Sequence, residues 1–168
     1  MINLIRNLRL AYKFVLIGLI GAVMLAVPTT IFVRTNLEAT AFAQREVMGL
    51  SPLADLLKLT QQMQQHRGIS AMVLAGNATQ SGARQAKAAE VSTILVNTRP
   101  VLALLGAPAL LTALDKAQAD WQALSTAVSD KTVTGGDSFV RHTALIADVL
   151  SLLDDAANAS GINLDSDI

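Results

Sequence analysis

The sequence contains no cysteine, and that absence removes a disulfide framework, a thiolate metal site and a cysteine nucleophile together. Aromatic residues make up only 4% of the chain, and neither sign of charge is in excess, with 13 Lys and Arg against 13 Asp and Glu. That balance argues against a nucleic-acid partner, which needs clustered Lys and Arg to displace counterions. No stretch shows the strand alternation of apolar and polar residues between turn signals. The catalytic vocabulary is nearly empty. There is no P-loop, no G-x-G-x-x-G after a strand and no H-E-x-x-H. Histidine occurs twice, at His66 and His142. Asp154 and Asp155 are adjacent, so on a helix they point about 100° apart and form no carboxylate dyad. No catalytic residue, metal ligand set or cofactor motif emerges, and the chain reads as a non-enzyme.

What is present is apolar and unevenly distributed. Hydrophobic residues are 52% of the 168, and Phe14 to Val33 runs for 20 residues without a charge. As a helix this run is about 30 Å long, the thickness of a hydrocarbon core. Arg6, Arg9 and Lys13 precede it with no acid among them, while Arg34, Glu38, Arg45 and Glu46 follow. The basic flank belongs in the cytoplasm, so the remainder is expected on the far side of a bacterial inner membrane. A cleaved signal peptide is the alternative, with Ala41-Phe-Ala43 as its small-x-small site. The apolar run exceeds a signal-peptide core, and Arg34 and Glu38 separate it from that site, which favours an uncleaved anchor. Residues 35–168 hold 9 basic against 13 acidic side chains, a net charge of −4.

Four amphipathic stretches follow the apolar run. Gly49-Leu-Ser-Pro52 reads as an interruption, with Ser51 as cap and Pro52 at the first position of a new helix. That helix is expected to reach Leu74 and stop at Gly76-Asn77. A second spans Ser81 to Leu105 with a kink or break near Arg99, caused by Pro100. The third opens at Gly106-Ala-Pro108. Its apolar positions Leu110, Leu114, Ala117, Trp121, Leu124 and Val128 form a 4-3-4-3-4 seam that places Trp121 in a core. Thr134-Gly-Gly-Asp137 reads as a turn before a fourth helix, Ser138 to Ala159. The fold class is therefore all-α, an N-terminal transmembrane helix followed by an antiparallel four-helix bundle. The expected divisions are a cytoplasmic N-terminus over 1–13, a span over 14–33, a connecting helix over 34–51, the bundle over 52–160 and a following segment over 161–168.

One stretch, "QQMQQHRGISAMVLAGN" from Gln61, conflicts with its own periodicity. At 100° per residue, Leu56, Leu59, Thr60, Met63, Ala71 and Leu74 share a face, and Arg67 falls at its centre. Ser70 lies beside it and His66 at the edge. On the fourth helix, Leu145, Ile146, Val149, Leu150 and Leu153 share a face with His142 near its middle, and Arg141 borders it near Asp148. A buried arginine keeps its charge and needs a partner. Two readings stand at this point. Arg67 is half of an internal ion pair with Asp148 or Glu90, or it is a planar donor fork in an anion pocket between helices.

The segment resembles the first periplasmic helix of bacterial transmembrane receptors, methyl-accepting chemotaxis proteins among them, which carry "LLQxxQxHRGLSxxxLxGN"-like stretches shortly after a membrane helix. It is similar, more distantly, to nitrate- and nitrite-sensing helical domains, whose first helix carries an E-R-G-[LI]-[SA]-like version. Arg67, Gly68, Ile69 and Ser70 match that version, and His66 stands where it has an acid. The C-terminal "ASGINLDSDI" resembles the "SGLxLDPDxDSYYLM" stretch leading to a last helix and second span, with Ser166 in place of proline. The resemblance implies a four-helix sensor for a small anionic ligand, homodimeric, within a longer chemotaxis receptor whose second span and signalling helices lie outside these residues. It implies arginines on the first and a later helix flanking the ligand, with Arg67 on the family's first arginine and Arg141 as the guess for a second; Ser70, His66 and His142 join the expected ligand contacts by their places on the two helix faces. Sensor regions of histidine kinases or diguanylate cyclases are the nearest alternative output, and a membrane-tethered bundle that binds a partner protein is the alternative of another kind.

Overall fold

The computed structural model describes residues 9–162. Arg6 and the stretch after Ile162 lie outside the described residues. Four helices make up the fold: α1 Leu10–Leu74, α2 Ser81–Ala103, α3 Pro108–Ser129 and α4 Gly135–Ser160. A short 3₁₀ turn, Ala78–Gln80, precedes α2. No strand occurs among the described residues. They fall into two compact units divided between Ala43 and Gln44.

The first unit is the N-terminal part of α1. It is the one described segment long and apolar enough to cross a membrane. Its Phe14, Ile17, Leu19, Met24, Leu25 and Phe32 are covered by no protein. Pro28 lies within the helix. The hydroxyls of Thr29 and Thr30 bond back to the carbonyls of Leu25 and Ala26, at 2.7 and 2.6 Å, so their polar groups stay satisfied in apolar surroundings.

The second unit is the bundle. Its core draws Leu56, Leu59 and Met63 from α1, Val91 and Leu95 from α2, Leu114 and Trp121 from α3, and Leu145 and Val149 from α4. One spacing rule organises all four helices. The third-helix seam Leu110, Leu114, Ala117, Trp121, Leu124 and Val128 is buried as the sequence predicts. The same alternation of four and three recurs on α1 as Pro52, Leu56, Leu59, Met63, His66, Ser70 and Val73. On α2 it runs through Val91, Leu95, Thr98 and Leu102, with Arg84 seven residues earlier. On α4 it runs through Ser138, His142, Leu145, Val149, Leu152 and Ala156. A 3.5-residue period is the mark of helices that pack knobs into holes at small crossing angles.

Several boundaries differ from the sequence expectations. Gly49-Leu-Ser-Pro52 does not interrupt α1, which is continuous from Leu10 to Leu74. Pro52 occupies a seam position. Gly49 is buried where the backbone meets Ser160, so its role is close approach and not a turn. Pro100 does not break α2, which continues to Ala103. Gly135 and Gly136 are the first residues of α4, not a turn. Thr134 caps that helix by accepting the Asp137 N–H at 3.0 Å, and Asp137 lies in its first turn, where a negative charge complements the helix dipole. The stop after Leu74 is as expected. Gly76 has φ +102°, its N–H bonds to the Val73 carbonyl, and the Asn77 N–H bonds to that of Met72, a Schellman arrangement.

Candidate functional site

The seams place a layer of polar side chains in the middle of the bundle. His66 and His142 are both buried, at 0% and 1% exposure. His66 Nδ1 lies 2.9 Å from His142 Nε2. The Trp121 indole meets the His66 ring edge to face, with centroids 4.7 Å apart, and its Nε1–H donates to Ser92 Oγ at 3.1 Å. Ser70 Oγ lies 3.3 Å from His66 Nδ1, and Ser138 Oγ 3.3 Å from His142 Nδ1.

The proton positions in this chain follow from chemistry. His142 Nδ1 is 2.7 Å from the Ser138 carbonyl, which only accepts, so Nδ1 carries a proton. Burial pushes the His142 pKa down despite that bond, and Arg67 and Arg141 push it further, so the ring is neutral and Nε2 is a bare acceptor. His66 Nδ1 must then be the donor to it. His66 is pushed down from 6.5 to about 3, first by burial, then by His142, then by the charge of Arg84. As a neutral ring with its proton on Nδ1, His66 keeps a lone pair on Nε2. That atom is buried without a hydrogen-bond partner.

The buried arginine of this bundle is Arg84, not Arg67. Arg84 is 5% exposed on α2, and its Nη2 donates to Ser129 Oγ at 2.9 Å. Its Nη1 is buried without a partner, and no carboxylate pairs with it among the described residues. Sequence reasoning missed it because it stands alone at the start of α2. The available signal was its seven-residue spacing from Val91 on a 4-3 seam.

Arg67 is half-buried on the flank of α1. It does not occupy the centre of the apolar face. A 100° step accumulates error along a 3.5-residue repeat, and His66 and Ser70 hold the seam instead. Neither ion pair considered for Arg67 forms, since Asp148 bonds Lys116 and Glu90 bonds Lys87. Its Nη1 donates to Thr143 Oγ1 at 3.0 Å, and its guanidinium lies 4.6 Å from the Phe139 ring centroid, both on α4. Arg141 is exposed and lines a cavity of about 230 Å³ between α3 and α4, with Lys116, Asp120 and Asp148. Two cations and two carboxylates there leave no surplus charge for an anion. The structure thus joins His66, Ser70 and His142 in one layer, sets Arg67 beside it and leaves Arg141 on another face.

Comparison with known proteins adds one finding. A family model described as "Nitrate and nitrite sensing" matches residues 58–166, well over half of the chain. No curated protein and no solved structure matches.

Proposed function

The chain belongs to the nitrate and nitrite sensing family, and from that premise we propose that it is the extracytoplasmic ligand-sensing part of a chemotaxis-type transmembrane receptor, with Arg67 as donor to a small oxyanion of the nitrate or nitrite class. The observation that carries this reading is the state of Arg67. Its half-buried guanidinium has a hydroxyl and a ring as partners and no carboxylate among the described residues. A planar fork of five N–H donors with one hydroxyl acceptor retains the capacity to hold an oxyanion bidentately.

Its position gives such binding a mechanical consequence. Arg67 belongs to α1, the helix that also contains the membrane-length apolar run, and both of its contacts are on α4. An oxyanion held by the remaining donors of Arg67 adds a negative charge beside its contacts with Thr143 and Phe139, so occupancy alters the α1–α4 junction. A differential affinity worth about 1–3 kcal/mol suffices to shift a two-state helix arrangement. The segment from Leu59 to Asn77, with His66-Arg-Gly-Ile-Ser70 at its centre, supports the chemotaxis-type assignment by its likeness to first periplasmic helices of such receptors.

The test is a thermal melt of the full chain in detergent with nitrate, nitrite and chloride. Nitrate or nitrite is expected to raise the midpoint of the wild type and to leave Arg67→Met unmoved. An equal response in the variant excludes Arg67 as the donor, and no response in the wild type excludes this ligand class.

A further inference from the structure

The bundle leaves one long face of α1 uncovered, and that face repeats the spacing of the core. The inner seam of α1 runs through Gly49, Pro52, Leu56, Leu59, Met63 and His66. Two residues before each of these lies an exposed one: Val47, Leu50, Ala54, Leu57, Gln61 and Gln64. At a 3.5-residue period, two residues back is about 206° around the helix, so this outer row lies nearly opposite the core. A surface helix ordinarily turns charged side chains to water on that side. Here the row is apolar from Val47 to Leu57 and then carries two uncharged amides. By contrast, α3 exposes no large apolar side chain. We infer that the outer row is the contact surface for a second copy of this chain, α1 against α1, parallel about a two-fold axis.

The charge pattern selects a second copy over a foreign partner. In a parallel two-fold pair each seam residue meets its own duplicate, so a charge on the seam would repel itself. Between Gln44 and Leu74 the charged side chains are Arg45, Glu46, Asp55, Lys58 and Arg67, and none falls on the row. A foreign partner sets no such condition, since it can answer a charge with the opposite one. An amide is both donor and acceptor, so Gln61 and Gln64 are able to bond to their own duplicates. The direction of pairing follows from the apolar run. Two copies inserted through the same N-terminal segment enter one membrane in the same sense, so their α1 helices run parallel. Confinement to one membrane also raises the local concentration, which lets so short a row hold a pair together. The inference rests on the membrane insertion proposed above and is independent of the ligand.

The experiment exploits the absence of native cysteine, because an introduced thiol then pairs only with its own copy. Leu50→Cys, Leu57→Cys and Val96→Cys are made singly in the full chain, reconstituted in lipid vesicles and oxidised. Val96 on α2 is as exposed as Leu57, at 59% against 57%, and lies off the row. A disulfide needs Cβ atoms about 3.5–4.5 Å apart, so Leu50→Cys and Leu57→Cys, each opposed to its duplicate, are expected to crosslink at least about fivefold more than Val96→Cys. Adding Leu57→Lys to Leu50→Cys sets two like charges face to face and is expected to reduce that crosslinking by a similar factor. The same yields are expected in nitrate-free buffer and in an Arg67→Met background, so failure of the oxyanion reading leaves the pairing standing. The proposal is overturned if Leu57→Cys crosslinks no more than Val96→Cys, or if Leu57→Lys leaves the Leu50→Cys yield unchanged. Preferential crosslinking at Val96 would overturn it by moving the pairing surface to α2.

Discussion

His66 and His142, 76 residues apart in the chain, face each other across the bundle with Nδ1 and Nε2 at 2.9 Å. The bond requires a bare Nε2 on His142, and burial disfavours the charged form of both rings, so the consequence is a pH dependence with a definite sign. The unfolded chain takes up a proton on His66 near its ordinary 6.5, and the folded chain resists until about 3. Below 6.5 the unfolded state binds more protons, so acid favours unfolding. The contribution of His66 is intact above pH 6.5 and is lost progressively as pH falls toward 3, by about 1.4 kcal/mol per pH unit. His142, also lowered, adds to the same slope. Urea melts between pH 7 and pH 5, above the main carboxylate range, read this out. The double variant His66→Leu/His142→Leu is expected to flatten the curve. An unchanged slope in the double variant refutes the assignment.

The second prediction contrasts two glycines on one helix. A Cβ at Gly49 would overlap Ser160 Cβ and lie 2.5 Å from its Oγ. At Gly68 a Cβ meets nothing within 4 Å. Alanine exceeds glycine in helix propensity by about 0.8–1 kcal/mol, so Gly68→Ala is expected to stabilise the bundle by an amount of that order. Gly49→Ala carries the same propensity gain against overpacking of about 1–3 kcal/mol, and is expected to destabilise. Ser160→Gly in the Gly49→Ala background restores part of the loss. Chemical melts of the four proteins decide it, and a stabilising Gly49→Ala would show that α1 and the end of α4 do not meet there.

The third concerns orientation. Arg9 and Lys13 precede the apolar run, with Arg6 before them in sequence, and no acid lies among these positions. By that bias the N-terminus is expected in the cytoplasm. A reporter active only outside the cytoplasm, fused after Ile168, is expected to be active, and one that works only inside is expected to be silent. The opposite pair of results reverses the proposed topology.

The sequence carried the architecture because heptad spacing is a long-range signal repeated many times. The α3 seam, the stop at Gly76 and the start of α2 at Ser81 are legible residue by residue. The continuous passage of α1 through Gly49 and Pro52 is not, because those residues read as breakers until their tertiary neighbours are known. The polar layer was half legible. His142 fell on a seam by either period, whereas Arg67 and His66 exchanged roles because a 100° wheel drifts by about 20° per heptad from a 3.5-residue repeat. Arg84 starts the α2 seam, followed only by the small, partly buried Ala88 before Val91, too little pattern to single it out. Which buried atoms lack partners depends on side-chain packing and has no local sequence signature.

The last prediction separates the two arginines without any ligand. Had Arg67 been half of an ion pair, its removal would strand a carboxylate and cost about 3–5 kcal/mol. Its partners are instead the exposed Thr143 hydroxyl and the half-exposed Phe139 ring. A cation–π contact at such a site is worth about 0.5–1 kcal/mol, and a methionine keeps much of the stem packing on the ring. Arg67→Met is therefore expected to lose about 1 kcal/mol or less. Arg84→Met removes a buried charge that has no counterion among the described residues, and Ser129 Oγ keeps its bond to the Ser125 carbonyl at 2.8 Å. Replacing such a charge by an apolar side chain of similar reach is expected to be neutral or stabilising. Urea melts of the two variants at pH 7 in ligand-free buffer measure both. A loss of 3 kcal/mol or more in Arg67→Met would reveal an acidic partner, and the same loss in Arg84→Met would mean that the protein itself compensates the Arg84 charge.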